Sequence, residues 1–323
     1  MTVRIANLSK TGLIIYNDGR EDLVLNVSFM LQSVEAKPEG DGQKPPAATE
    51  GAAKDSQGQP GAGTENMSSK PGASKPKGAE IKEFAWIVPV PSLPLGYAQL
   101  DNRCFHELDD LLPVYRLVKS GGGPGGFGGG QGDQGSGRPE RSLLAYPPHV
   151  TGDYTILPLR VVGPEGVQEL KGWLARNGFG PLNEGSLAYY AAHGWTFLAI
   201  KANVHGWTAG QAQSLAPLRI SFATNRLVFP MKMASGEVNA TLFVLTSAEL
   251  PNPAKALSSF SFRLDGAKPV TRKSLDGTAL SRLWQQSALG DRAGAVLYRY
   301  TTSPQFLSDG VEPSKFATEV IFP

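Results

Sequence analysis

Cysteine is nearly absent: Cys104 is the one thiol in 323 residues. That excludes an internal disulfide framework and a thiolate zinc cluster. Long apolar runs are absent too. None reaches the roughly 18 residues a membrane-spanning helix needs, so no transmembrane segment is expected. Charge of one sign is also lacking. With 31 basic and 29 acidic side chains the net charge is +2. No long-range field attracts phosphate, and no nucleic-acid partner is expected. The four histidines are scattered, with no H-x-H or H-E-x-x-H spacing, so no metal site is expected. No P-loop and no G-x-S-x-G elbow occur, and no cofactor is expected. The N-terminus, MTVRIANLSKTGLIIYNDG, lacks a secretory pattern, because Arg4 and Lys10 interrupt it and Leu13–Tyr16 is too short for a signal core. Read literally, the chain is cytoplasmic. A signal sequence encoded upstream would make it periplasmic or extracellular.

What is abundant is glycine and proline, 38 and 25 residues. Nineteen of the glycines and eight of the prolines lie in 36–79 and 120–140. The first segment has no aromatic residue and no Ile, Leu or Val, so it cannot bury enough surface to offset its ordering entropy. The second, SGGGPGGFGGGQGDQGSGRPE, has the composition of a flexible linker. Both read as disordered, low-complexity loop insertions in a globular chain, since loop closure cost grows slowly with length. Gly121–Gly126 matches G-x-G-x-x-G, but Pro124 and further glycines prevent the helix that the dinucleotide fingerprint requires.

The remainder is rich in strand signals. Thr11–Tyr16 and Leu23–Met30 flank Asn17-Asp18-Gly19, a hairpin turn signature. Leu23, Leu25, Val27 and Phe29 alternate with Val24, Asn26, Ser28 and Met30, which predicts a strand with one buried face. Phe84–Val88 is a buried-strand run, and Pro89, Pro91 and Pro94 require that the strand end there or lie at a sheet edge. The first insertion is expected to be a hairpin loop joining Leu23–Ser33 to Ile81–Val88. Val114–Lys119, Leu143–Tyr146, Thr155–Val162, Thr196–Val204, Leu218–Phe222, Leu227–Met233, Val238–Thr246, Ser259–Leu264, Ala295–Tyr300 and Thr318–Phe322 also read as strands. Short helices are predicted over Leu100–Leu112, with Asp101 or Asn102 as cap, Val167–Arg176, Asn183–His193 and Thr278–Gln286. The predicted class is β-rich α+β, with antiparallel sandwich-like sheets and a few short helices in the central region. Residues 1–162 form a β-rich half and 163–323 an α+β half, as two domains or one continuous domain.

Few residues suggest chemistry. Cys104 and His106 would share a face if they lay in a strand, as a nucleophile and its base would; the simpler reading is a small buried hydrophobe beside a surface histidine. His106 with Asp109 and Asp110 has metal-ligand chemistry, but Glu107, Asp109 and Asp110 read most simply as a solvated turn. Lys201 shares a strand face with Phe197 and Ala199, and Arg219 in PLRISF is similarly placed; either could partner a buried carboxylate. Trp173, Trp195, Trp207, Phe179, Tyr189 and Tyr190 form an aromatic cluster, read chiefly as core, though aromatics can stack ligands. Asn7, Asn26 and Asn239 open glycosylation sequons that matter only in a glycosylating host.

Several blocks together resemble an uncharacterised bacterial family, the domain of unknown function 2330 family. They are Phe84–Pro91 (F-a-W-i-l-P-v-P), Leu170 with Gly172-Trp173-Leu174 and Asn177-Gly178-Phe179 (L-x-x-W-L-x-x-N-G-[FY]), and Tyr190 with Gly194–Lys201 (Y-x-x-x-G-W-x-F-x-A-x-K). The last is Pro217–Phe222 with Leu227–Met231 (P-L-R-x-x-F…L-V-Y-P-L). They run in the family's order from about Lys10 to Thr246, and the closing TEVIFP is similar. The resemblance implies no activity and no catalytic residues. It implies that relatives are often exported, with a signal and a cysteine-containing segment ahead of the first hairpin. The functional expectation is a non-enzymatic structural or interaction protein with a protein partner, working at the bacterial envelope. The rivals are a hydrolase-like enzyme using Cys104 and His106 or Lys201 and Arg219, and a small-ligand binding module using the central aromatics.

Overall fold

The structure is a computed structural model, and it describes residues 2–34, 80–113, 142–180, 182–208, 212–230, 239–256, 262–302 and 320–321. Along the chain the elements are β1 (Thr2–Asn17), β2 (Arg20–Val34), β3 (Glu80–Val90), β4 (Gly96–Gln99), α1 (Arg103–Leu111), β5 (Leu143–Ala145), β6 (His149–Thr151) and β7 (Tyr154–Val161). Then come α2 (Gly163–Arg176), α3 (Glu184–Ala192), β8 (Thr196–Thr208), β9 (Ala212–Ser214), β10 (Leu218–Ala223), β11 (Val228–Phe229) and β12 (Asn239–Thr246). The last are α4 (Pro253–Ala256), β13 (Phe262–Thr271), a 3-10 turn at Arg272–Leu275, α5 (Ala279–Gln286), β14 (Gly294–Thr302) and β15 (Val320–Ile321). The fold is β-rich α+β. Both expected insertions, the strand at Val114–Lys119 and the glycine motif at Gly121–Gly126 lie outside the described residues.

The Asn17-Asp18-Gly19 signal makes the turn it promises. Asp18 and Gly19 take φ of +46° and +79°, the left-handed pair that matches strand twist in a two-residue hairpin. From it β1 and β2 run antiparallel into an eight-stranded sheet ordered β13-β14-β12-β1-β2-β10-β4, with β9 also on β2. Every pairing in this sheet is antiparallel except β1 with β12, which is parallel and places Thr11 beside Thr241 and Tyr16 beside Thr246. A second, antiparallel sheet is ordered β3-β8-β7-β5, with β6 also on β7. β11 and β15 form a small pair.

Strand alternation then dictates the layers. In β1, Ile14 faces a core shared by the two sheets, together with Leu23, Ile156, Leu198, Ile200 and Phe222. Leu13 and Ile15 face the other way, onto α1 and α5, with Val24, Phe243, Leu280 and Trp284. In the second sheet Phe197, Ala199 and Leu159 turn outward onto α2 and α3, meeting Leu170, Leu174 and Tyr190. The order is helices, sheet, sheet, helices.

Two expectations are corrected. β2 is not buried on one face only. Leu23 and Val24 are both 0 % exposed, because β2 is an internal strand of a sheet covered on both sides; farther along, Leu25 and Val27 pack against the inter-sheet core, and all four of Leu25, Asn26, Val27 and Ser28 are half-buried. Nor does β2 form a hairpin with β3. β1 and β10 occupy the two sides of β2, and β3 pairs with β8 in the other sheet. The chain therefore changes sheets between them. Both sheets draw strands from both sides of residue 162.

Candidate functional site

Cys104 and His106 lie on helix α1, not on a strand. Two residues of helix turn them to different faces: Cys104 is buried against α5 and His106 is exposed. Burial, with Glu107 and Asp101 nearby, pushes the Cys104 thiol up to about 12. A nucleophilic thiol needs the opposite shift. Asp109 and Asp110 are exposed on the same helix, and the described residues contain no group of three or more metal-ligating side chains.

The acidic turn reading of α1 is corrected at two positions. Glu107 caps α5: its Oε1 and Oε2 accept the N–H groups of Ala279 and Leu280 at 2.9 and 2.8 Å. A carboxylate suits a helix N-terminus, where amides are unpaired and the dipole is positive. Asp109 accepts from Arg299 Nη1 at 2.8 Å, and the same guanidinium lies over the Phe243 ring.

Lys201 and Arg219 are not brought together. Lys201 sits on the α2/α3 side of β8, with Phe197 and Ala199. Arg219 sits on the α5 side of β10, where its Nη1 donates to Gln286 O at 2.8 Å. Two sheets and the core between them separate the pair.

Arg219 does belong to a polar centre, and its partner is Asp22. This carboxylate is 0 % exposed. Its Oδ1 accepts from the Ser221 hydroxyl and lies 3.9 Å from Arg219 Nε and 3.5 Å from an Arg20 amino group. The Arg219 contact is an ion pair without a hydrogen bond, since Nε has no acceptor within hydrogen-bonding distance. Asp22 Oδ2 accepts the Ala288 N–H at 2.5 Å, and Asn17 Nδ2 donates to Ala288 O at 3.1 Å. The cluster ties the hairpin, β10 and the end of α5 together. Its chemistry is that of a satisfied buried carboxylate. Sequence reasoning missed Asp22 and its neighbour Glu21, because charges directly after a hairpin turn read as solvated.

Five of the central aromatics, Trp173, Phe179, Tyr189, Tyr190 and Trp195, pack in the core of the α2/α3 layer, while the Trp207 side chain lies outside the described residues. Tyr190 is 0 % exposed and stacks on Trp195 at 4.9 Å and on Phe197 at 6.3 Å, edge-on. Trp173, half-buried, meets Phe179 at 5.9 Å.

With both outer faces covered by helices, what this architecture presents is its sheet edges. β13 carries a bulge between Leu264 and Gly266 and has Pro269 in the strand, two features that discourage pairing. β4, β5 and β6 span at most four residues. β3 also carries a register irregularity, between Ile81 and Glu83, and a proline, Pro89, but it is eleven residues long and keeps Glu83–Val88 as a regular, proline-free run paired with β8. Among the described residues no strand pairs on its other side. Its side chains are spent on both faces, Phe84, Trp86, Val88 and Val90 toward the inter-sheet core and Ala85 and Ile87 toward α2 and α3.

A family model for an uncharacterised protein conserved in bacteria, DUF2330, matches residues 74–256, more than half of the 323-residue chain. The match takes in all the sequence blocks from Phe84 to Met231 and begins after the first hairpin. No curated protein matches. Among solved structures, the crystal structure of baculovirus P35 is similar over 83 % of this chain and 75 % of its own, at 9 % identity and a TM-score of 0.33. No helix among the described residues is long and apolar enough to cross a membrane.

Proposed function

The chain belongs to the DUF2330 family of uncharacterised proteins conserved in bacteria, and we propose that it is a non-enzymatic interaction protein that receives an extended segment of a partner protein along β3. One observation carries this reading: β3 is eleven residues long and pairs on one side only among the described residues. Over Glu83–Val88, between the irregularity and Pro89, such a strand offers amide and carbonyl groups, and adding a strand satisfies them at once. Because both faces of β3 already pack on core, the added strand extends the existing sheet without rearranging it. The compartment we assign is the bacterial envelope, in keeping with the export that the family resemblance implies.

The test is hydrogen exchange on the full chain, alone and in complex with the protein it retains from native lysate. The amides of β3 should gain protection in the complex. Protection elsewhere with β3 unchanged, or a strictly monomeric chain that retains nothing, would overturn the proposal.

A further inference from the structure

Glu21 and Asp22 are neighbours on β2, so strand alternation sends their carboxyls to opposite faces. Asp22 goes to the α5 side, where Arg20, Arg219, Ser221 and Ala288 meet it. Glu21 goes to the inter-sheet side and is 0 % exposed. Opposite it in register stand Tyr16 on β1 and Phe222 on β10. From β11, Val228 donates its N–H to Glu21 Oε2 at 2.9 Å. Oε1 has no hydrogen-bond partner among the described residues. The charged group that acts on Glu21 is Asp22, and it repels a second negative charge. Arg20 and Arg219 lie on the Asp22 side and engage that carboxylate.

A glutamate held by one amide, beside an aspartate and away from water, is cheaper to bury neutral than charged. Val228 is thus anchored to a group whose charge state the fold selects. We propose that Glu21 is a buried proton-binding site whose neutral form lets β11 close against the β1–β2 hairpin: once the proton leaves, the cost of the buried charge opens that cover to water and outweighs the stronger bond from the Val228 N–H. β15 pairs with β11 through Val320 and Phe229, so the closing strand is released with it.

Burial raises the Glu21 carboxyl well above its ordinary 4.5, against the smaller opposing pull of the Val228 N–H. Above 4.5 the unfolded chain loses this proton while the folded chain keeps it, so stability falls as pH rises. The folding equilibrium constant should drop by up to about tenfold per pH unit from this group. Between pH 6 and 8 the comparison with Glu21→Gln isolates it, because every other group is the same in the two proteins. Half-buried Tyr97 and buried Cys104, both pushed up to about 12, oppose folding at more alkaline pH, as their unfolded forms ionise.

Denaturant unfolding and Val228 amide exchange are measured on the full chain, wild type and Glu21→Gln, from pH 6 to 8. Relative to E21Q, the wild type should lose stability and Val228 protection steadily as pH rises, because glutamine keeps a neutral group at the site. Parallel profiles would overturn the proposal. Should E21Q fail to fold, infrared spectroscopy of the wild type decides it: a protonated buried carboxyl stretch at pH 7 supports the assignment, and its absence overturns it.

Discussion

Asp22 joins three pieces of chain that are remote in sequence, and the two ends of its ion pair are not equivalent. Replacing it with alanine leaves the Ser221 hydroxyl and the Ala288 N–H without their acceptor in a buried place, and the Arg219 guanidinium without its counter-charge. Breaking a buried pair this way costs about 3–5 kcal/mol. Arg219→Ala removes less. Asp22 keeps Ser221, Ala288 and Arg20, and what is lost is an ion pair at 3.9 Å and one bond to Gln286 O. A loss of about 1–2 kcal/mol is expected there. Urea titration of both variants checks the order, and an Arg219→Ala loss equal to that of Asp22→Ala would show that the pair, not the carboxylate, is the centre. Half of this site was legible: the apolar frame PLRISF marks Arg219 as a cation with somewhere unusual to go. The other half was not, because Arg20-Glu21-Asp22 follows a hairpin turn, and only the flanking strands β1 and β10 make that position internal.

Helix α2 shows how an element's neighbours can reverse its local preference. It contains two interior glycines, and alanine is the better helix former at both by about 1 kcal/mol. At Gly172 a methyl would meet only the mobile end of Arg176, 3.2 Å away. At Gly166 it would lie 2.2 Å from the Ser142 carbonyl oxygen and 2.8 Å from a Val161 methyl. The helix approaches β5 and β7 so closely there that no Cβ fits without backbone movement. Gly172→Ala should therefore stabilise by up to about 1 kcal/mol, and Gly166→Ala should destabilise by about 1–3 kcal/mol despite its propensity. Thermal melts of the two single variants read the opposite signs; a shared sign would mean that propensity alone governs. The same contrast explains which elements the sequence makes legible. The first hairpin, α2, α3 and α5 carry their signals locally, in Asn17-Asp18-Gly19, Asn177-Gly178, the Asn183 cap and the Thr278 cap. The three- and four-residue strands β4, β5, β6 and β9 exist through their partners, and of these only β5 has an apolar run of its own.

Across the whole molecule, alternation and apolar runs reveal a β-rich chain with several short helices, but not which strands lie side by side. The pairing of β1 with β12 joins Thr11 to Thr241, and no periodicity encodes a partner that distant. The same holds for the change of sheet between β2 and β3. This long-range construction bears on the division at residue 162. On the hairpin side, β1 and β2 would lose β12 and β10. In the other sheet, β3 and β7 would both lose β8, the strand that joins them. The inter-sheet core would lose Leu198, Ile200, Phe222 and Leu242 together. We propose that the two halves are one cooperative unit. Residues 1–162 expressed alone should then show neither dispersed amide resonances nor a cooperative thermal transition, while the full chain unfolds in one step by both far- and near-ultraviolet circular dichroism. A fragment that folds by itself would establish the N-terminal half as a domain, with its own strands closing the gaps that β8, β10 and β12 fill in the full chain.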